Sequence, residues 1–334
     1  MTIIINKATF EKTRIASDLE RLTLPVKKLL TLTTLAAATA LALSGCASAS
    51  TDAGATDDPT NESGVRIVAS TNVYGDIAEQ IGGDRVSVTS IIDSPDKDPH
   101  EYEADARTQL SLSKAQLVIE NGGGYDDFVD TMLSAADNKI APVLNAADIS
   151  GYDEEPAEGE FNEHMWYDFP TVQKLSDELV NQLSAIDPEG AETYEKNAET
   201  FDSQLAALEQ QEKDIKASFD QTGVAITEPV PLYMLEAAGL VNKTPDAFSE
   251  AIEEGTDVPA DVLKQTQELF SSGAVKALVY NEQTSGAQTE LVLKAAKDAG
   301  VPVVPVTETL PDGTDYISWM TTNLNALQGA LSGK

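Results

Sequence analysis

Cysteine is nearly absent: the 334-residue chain holds one. A single thiol closes no intramolecular disulfide, so a disulfide scaffold and a Cys-rich zinc module are both excluded. Histidine is almost as scarce, with two in the whole chain. Positive charge is the third shortage. Lys and Arg total 22 against 56 Asp and Glu, a formal net charge of −34. Phosphate backbones and anionic lipid surfaces repel such a chain, which excludes nucleic-acid binding. The usual catalytic signatures are missing as well. There is no GxSxG elbow, and Ala104 stands where an HExxH helix starting at His100 would need its second histidine. The triple glycine at 122–124 is not followed by Gly-Lys-Ser/Thr and reads as a turn that ends a strand. What remains is a globular composition, 41% hydrophobic and 23% charged, at a length that suggests two domains.

The N-terminus is a targeting segment. Residues 29–43 are uncharged and apolar, Lys27 and Lys28 precede them, and Leu43-Ser44-Gly45-Cys46 follows. A basic flank, a short apolar run and small residues ahead of a cysteine make a lipoprotein signal peptide over 1–45, with Cys46 as lipidated mature N-terminus. The run is too short for a comfortable membrane span. Val26-Lys27-Lys28 resembles a usual signal-peptide start, which places translation initiation downstream of Met1. Residues 46–64 are small, polar and acidic, a flexible tether. A tether after an acylated cysteine places the protein at the outer face of a bacterial cytoplasmic membrane.

From Val65 onward, short β-branched segments alternate with amphipathic ones. VRIVAS, RVSVTSI, QLVIE and APVLN read as strands of one lobe over 65–170, and VAIT, VKALVYN and VPVVPV as strands of another over 223–334. Alternation of this kind predicts an α/β fold, with mainly parallel sheets flanked by helices. Residues 151–163 have no period and read as a loop. The intervening 171–222 is helical. Within it Ala191, Tyr194, Ala198, Phe201, Leu205 and Leu208 recur at helical spacing, with Ile215 continuing the seam. One helix of about 28 residues, about 42 Å long, accounts for that seam; a short coiled coil is the competing reading.

In parallel α/β lobes, ligands bind beyond the carboxyl ends of strands. Glu228 directly follows VAIT and Glu308 follows VPVVPV by one residue. The two histidines lie in turn-rich loops, His100 after RVSVTSI and His164 ahead of Met165-Trp166. Two imidazoles and two carboxylates form a first shell for a divalent transition metal. Asp312, in the same loop as Glu308, is the rival for the fourth position.

The stretches STNVYGDIAEQIGGDRV, DPHEYE, NGGGYDDFVDTML, EHMWYDFPTV and DPEGAETYEKNAETFDSQLAAL resemble the substrate-binding lipoproteins of ABC-type manganese and zinc importers, over essentially all of 65–334. The resemblance implies two α/β lobes joined by one long rigid helix, with a metal site in the interlobe cleft. It implies His100, His164, Glu228 and Glu308 as ligands, and a manganese or zinc ion as cargo. It also implies a monomer, lipid-anchored to the membrane, that delivers to an ABC permease and catalyses nothing. Glu308 stands where the family usually has an aspartate, and EPVPLYM and HMWYDFP depart from the usual stretches. A lipid-anchored metallohydrolase, with Glu308 as general base, and a surface adhesin or metal chaperone are the alternatives. Two carboxylates in place of a third imidazole lean toward manganese over zinc.

Overall fold

The computed structural model describes residues 64–95, 97, 102, 105–157 and 161–333. Cys46, the signal segment, the tether up to residue 63 and His100 lie outside the described residues. All described residues belong to one compact unit.

The first half runs β1 (Val65–Thr71), α1 (Asn72–Gly82), β2 (Val86–Ile92), α2 (Ala106–Lys114), β3 (Leu117–Glu120), α3 (Phe128–Ala135), β4 (Val143–Asn145) and α4 (Ala146–Ser150). Two longer helices follow, α5 (Phe169–Ile186) and α6 (Ala191–Phe219). The second half runs β5 (Gly223–Ile226), α7 (Leu232–Ala237), β6 (Val241–Asn242), α8 (Asp246–Glu253), α9 (Ala260–Ser271), β7 (Leu278–Asn281), α10 (Ala287–Asp298), β8 (Val303–Val306) and α11 (Tyr316–Leu331). Each half holds a four-stranded sheet, ordered β2-β1-β3-β4 and β6-β5-β7-β8. Every pairing is parallel. The two sheets thus repeat one topology, and each has its switch point between its first and third strands, the place where open parallel sheets hold ligands.

The inner strands β1, β3, β5 and β7 are buried on both faces, which is why they read as apolar runs. In β1, Ile67 and Ala69 enter a core shared by both halves, while Val68 joins a smaller cluster with Ile92, Leu112 and Val118. In β7, Val279 enters the shared core, and Leu278 and Tyr280 pack outward on Phe248 and Val292.

The shared core is continuous through α6. This helix has 29 residues and buries Tyr194, Ala198, Phe201, Leu205, Leu208, Glu212 and Ile215. Apart from half-buried Ala191, that is the apolar seam expected from the spacing, with one insertion. Glu212 fills a seam position, and burial pushes its carboxyl up to about 8. The helix packs on α1 of the first half, on α5, and on α7 and α11 of the second. A single helix with partners on several sides takes the place of the coiled-coil alternative.

Asp105, Asn145, Asp168 and Asp315 each cap a helix by accepting a backbone N–H of the first turn. The elements that sequence periodicity missed are short: α2, α4, α7, α8 and the two-residue β6. Among the described residues, no helix is long and apolar enough to cross a membrane.

Candidate metal centre

His164 lies at the entry to a 3₁₀ turn, Met165–Tyr167, whose three side chains are all buried. The ring itself is 1% exposed. Its Nδ1 donates to Asn162 Oδ1 at 2.7 Å, since a carboxamide oxygen can only accept. With Nδ1 committed to Asn162, Nε2 is the ring nitrogen through which this imidazole would bind a metal, in its neutral form. Trp166 and Tyr125 flank the imidazole at centroid distances of 5.1 and 6.0 Å and fix its plane. Nε2 stands 3.4 Å from Glu253 Oε1, at the end of α8.

Tyr125 reaches this position because of the glycine turn after β3. Gly122, Gly123 and Gly124 all have positive φ. A Cβ on Gly123 would fall 2.3 Å from the Phe161 ring, so this turn requires glycine on two counts. The segment around His164 is tied to both halves. Asn121 Nδ2 donates to Glu163 O at 2.8 Å, Tyr233 Oη to Asn162 O at 2.7 Å, and Tyr167 Oη to Thr307 O at 2.9 Å.

Glu228 follows β5 by two residues and Glu308 follows β8 by two. They are 3% and 6% exposed. Asn281, the last residue of β7, donates through Nδ2 to Glu228 Oε2 at 2.5 Å and to Glu308 Oε1 at 2.7 Å. The two carboxylates expected from strand ends are therefore gathered at one amide, beside the switch point of the second sheet. Gln283 Oε1 accepts the backbone N–H groups of Glu308 and Thr309, while its Nε2 donates to Pro95 O in the loop that leads toward His100. Tyr125 Oη faces Glu308 Oε2 at 3.5 Å. Asp312, by contrast, is exposed.

The electrostatics are one-sided. Burial pushes the Glu163 carboxyl up to about 8, and every charged neighbour adding to the shift, Glu308 first, then Asp126 and Asp127, is itself acidic. Burial and then Glu308 push the Tyr125 phenol well above its ordinary value. A cavity of about 420 Å³ beside His164 is bordered by Glu163, Asp246, Glu250, Glu253 and Glu254. Such surroundings favour a cation and disfavour an anion.

Among the described residues, no three His, Cys, Asp or Glu side chains converge closely enough to hold a metal ion. Glu228 and Glu308 form one group around Asn281. His164 forms another with Glu253, and Tyr125 stands between them. Sequence reasoning missed Asn281, Glu253, Tyr125 and Gln283. Only Tyr125 had a signal, the glycine turn before it.

Residues 67–330 match the family described as ZnuA, zinc-uptake complex component A, periplasmic. The chain belongs to this family. It is a family of transport binding proteins, so the protein is a binding component and not an enzyme, and the metallohydrolase alternative is set aside. Among curated relatives, the manganese-binding lipoprotein MntA of Halalkalibacterium halodurans is 30% identical over 208 residues, which are 60% of this chain and 65% of that protein. The manganese ABC transporter substrate-binding lipoprotein scaA of Streptococcus gordonii is 24% identical over 308 residues, covering 87% of this chain and 96% of its own length. Among solved structures, a mutant of the laminin-binding adhesin Lmb of Streptococcus agalactiae has the same fold, with a TM-score of 0.68 and 18% identity over 80% of this chain and all of that one. The ZnuA family fold is thus the architecture expected from the sequence: two parallel sheets flanked by helices, with one long helix.

Proposed function

We propose that this ZnuA-family protein captures manganese outside the cytoplasmic membrane and hands it to an ABC permease, with His100, His164, Glu228 and Glu308 as ligands. The observation that carries this reading is the pair of buried glutamates, drawn from two different crossovers to one amide, with Tyr125 linking them to a buried imidazole whose neighbour Glu163 has its pKa raised by burial and by acidic groups only. Two nitrogens and two carboxylates satisfy a transition metal without an open position for an activated water, which suits capture and release rather than hydrolysis. A bound ion would take Nε2 of His164 together with the carboxylates of Glu228 and Glu308 as donors, and would neutralise the acidic surroundings that these groups share. The acidic cavity beside His164 raises the local cation concentration at the mouth of the site. Relatives named as manganese-binding lipoproteins support the choice of cargo, and their lipoprotein nature supports the anchor.

Metal analysis of the protein purified from its native host tests the reading. We expect a bound divalent transition metal, with manganese in excess of zinc; a protein that carries none, and takes up none when offered either ion, overturns it.

The anchor is tested separately. Cys46 closes the lipoprotein signal, so Cys46→Ser is expected to move the protein from the membrane fraction into the soluble one. A variant that sediments with membranes as fully as the unaltered protein rules out lipidation at Cys46.

A further inference from the structure

Strand β7 supplies none of the proposed ligands, yet its last residue touches both carboxylates. Asn281 is 1% exposed. Its Nδ2 lies 2.5 Å from Glu228 Oε2 and 2.7 Å from Glu308 Oε1, with Thr284 Oγ1 further off at 3.2 Å. The orientation of the amide is determined by its other end. The backbone N–H of Gln283 donates to Oδ1 at 3.1 Å. Exchanging the two amide atoms would set an oxygen against two carboxylates and an NH₂ group against an N–H. The backbone is equally fixed, because the Asn281 N–H donates to Oγ1 of Thr227, the residue just before Glu228, at 2.9 Å. Its strand is an inner one, between β5 and β8.

We propose that Asn281 is a positioning residue for metal capture, its amide setting the separation and orientation of Glu228 and Glu308 before the ion arrives. The proposal rests on those two residues being ligands. Two buried carboxylates repel one another, and without a shared donor one of them either takes up a proton or turns away, and in both cases is no longer poised for a cation. A lysine or arginine between them would hold the pair, but its charge would also repel the incoming cation. A carboxamide holds the pair and adds no charge. Its two protons engage one oxygen of Glu228 and one of Glu308, which fixes the orientation of both carboxylates at the end of β7. Outer partners of this kind orient ligands, and losing one costs about 10–100-fold in metal affinity.

The test is calorimetric titration of metal-stripped protein with Mn²⁺ and, separately, Zn²⁺. Asn281→Leu keeps the γ-branched shape and the number of heavy atoms and removes the donors. Asn281→Ser is small, folds more readily and is too short to bridge both carboxylates. Each is expected to weaken binding of both ions by about 10–100-fold. A double-mutant cycle separates positioning from mere structural support. In a Glu228→Gln background, Asn281→Leu is expected to cost clearly less than in the unaltered protein, because one of the two groups it orients is no longer a carboxylate. Binding by Asn281→Ser within about threefold of the unaltered protein, or an equal fold-loss in both backgrounds, overturns the proposal. Glu228→Ala and Glu308→Ala measured alongside keep the two claims apart. If they bind as the unaltered protein does, the ligand assignment fails; if they lose binding while Asn281→Ser keeps it, only the role of Asn281 fails.

Discussion

Alanine at His164, Glu228 or Glu308 is expected to weaken metal binding by more than the roughly 10–100-fold that follows from losing an outer partner, because each removes a donor atom itself. His100→Ala is expected to behave in the same way. Asp312→Ala and Glu101→Ala are expected to leave binding unchanged. The contrast between Glu308 and Asp312 is the informative one, since they lie four residues apart in one loop. Glu308 is 6% exposed and faces the amide that also holds Glu228, whereas Asp312 is exposed to solvent. An exposed carboxylate keeps its water and gains little from a cation, while a buried one beside another carboxylate gains from any positive charge that reaches it. Metal bound only to the folded state stabilises it by mass action, so the same ranking is expected in metal-induced shifts of Tm. If Asp312→Ala loses affinity and Glu308→Ala retains it, the fourth ligand has been misassigned.

The legible part of this protein follows from period and scarcity. The seam Tyr194-Ala198-Phe201-Leu205-Leu208 could belong only to a helix, and the helix is there, although Glu212 interrupts its apolar side. VRIVAS and VKALVYN read as strands because parallel sheets bury both faces, leaving continuous apolar runs. Glu228 and Glu308 stood out by position alone, just past strand ends, and two histidines in a long chain drew notice by rarity. The illegible part is what holds these groups. Asn281 also ends a strand, but a carboxamide is not a metal ligand of choice, and its task becomes visible only when the carboxylates on either side are seen to share it. Glu253 is one of 56 acidic residues, on a helix of eight residues too short for its period to register. The two-residue strand β6 has no period at all. Rare residues and long elements carry their own signal, whereas a positioning residue takes its meaning from neighbours that are distant in sequence.

Loss of the protein is expected to create a growth requirement for manganese that zinc does not relieve. The argument begins from the donors. Zinc is content with four ligands, imidazole and thiolate among them, while manganese favours oxygen and a larger shell. Here the chain proposes two imidazoles and two carboxylates, with no thiolate available at the site. Each carboxylate can present both oxygens, so the shell can expand to six. The hydrogen bonds from Asn281 do not forbid this, because a carboxylate has about four lone-pair sites and gives up one to each N–H. Affinity measured in isolation is a poor guide to the cargo, since zinc outranks manganese at most nitrogen-and-oxygen sites whatever the protein evolved to carry. Growth of a deletion strain avoids that problem by asking which ion the cell lacks. The expected rescue is by manganese in metal-depleted medium, and by the gene carrying its ligands but not by the Glu228→Ala form. Rescue by zinc alone would remove manganese as the cargo. It would leave the two imidazoles and two carboxylates as a four-donor zinc site, each glutamate coordinating through one oxygen.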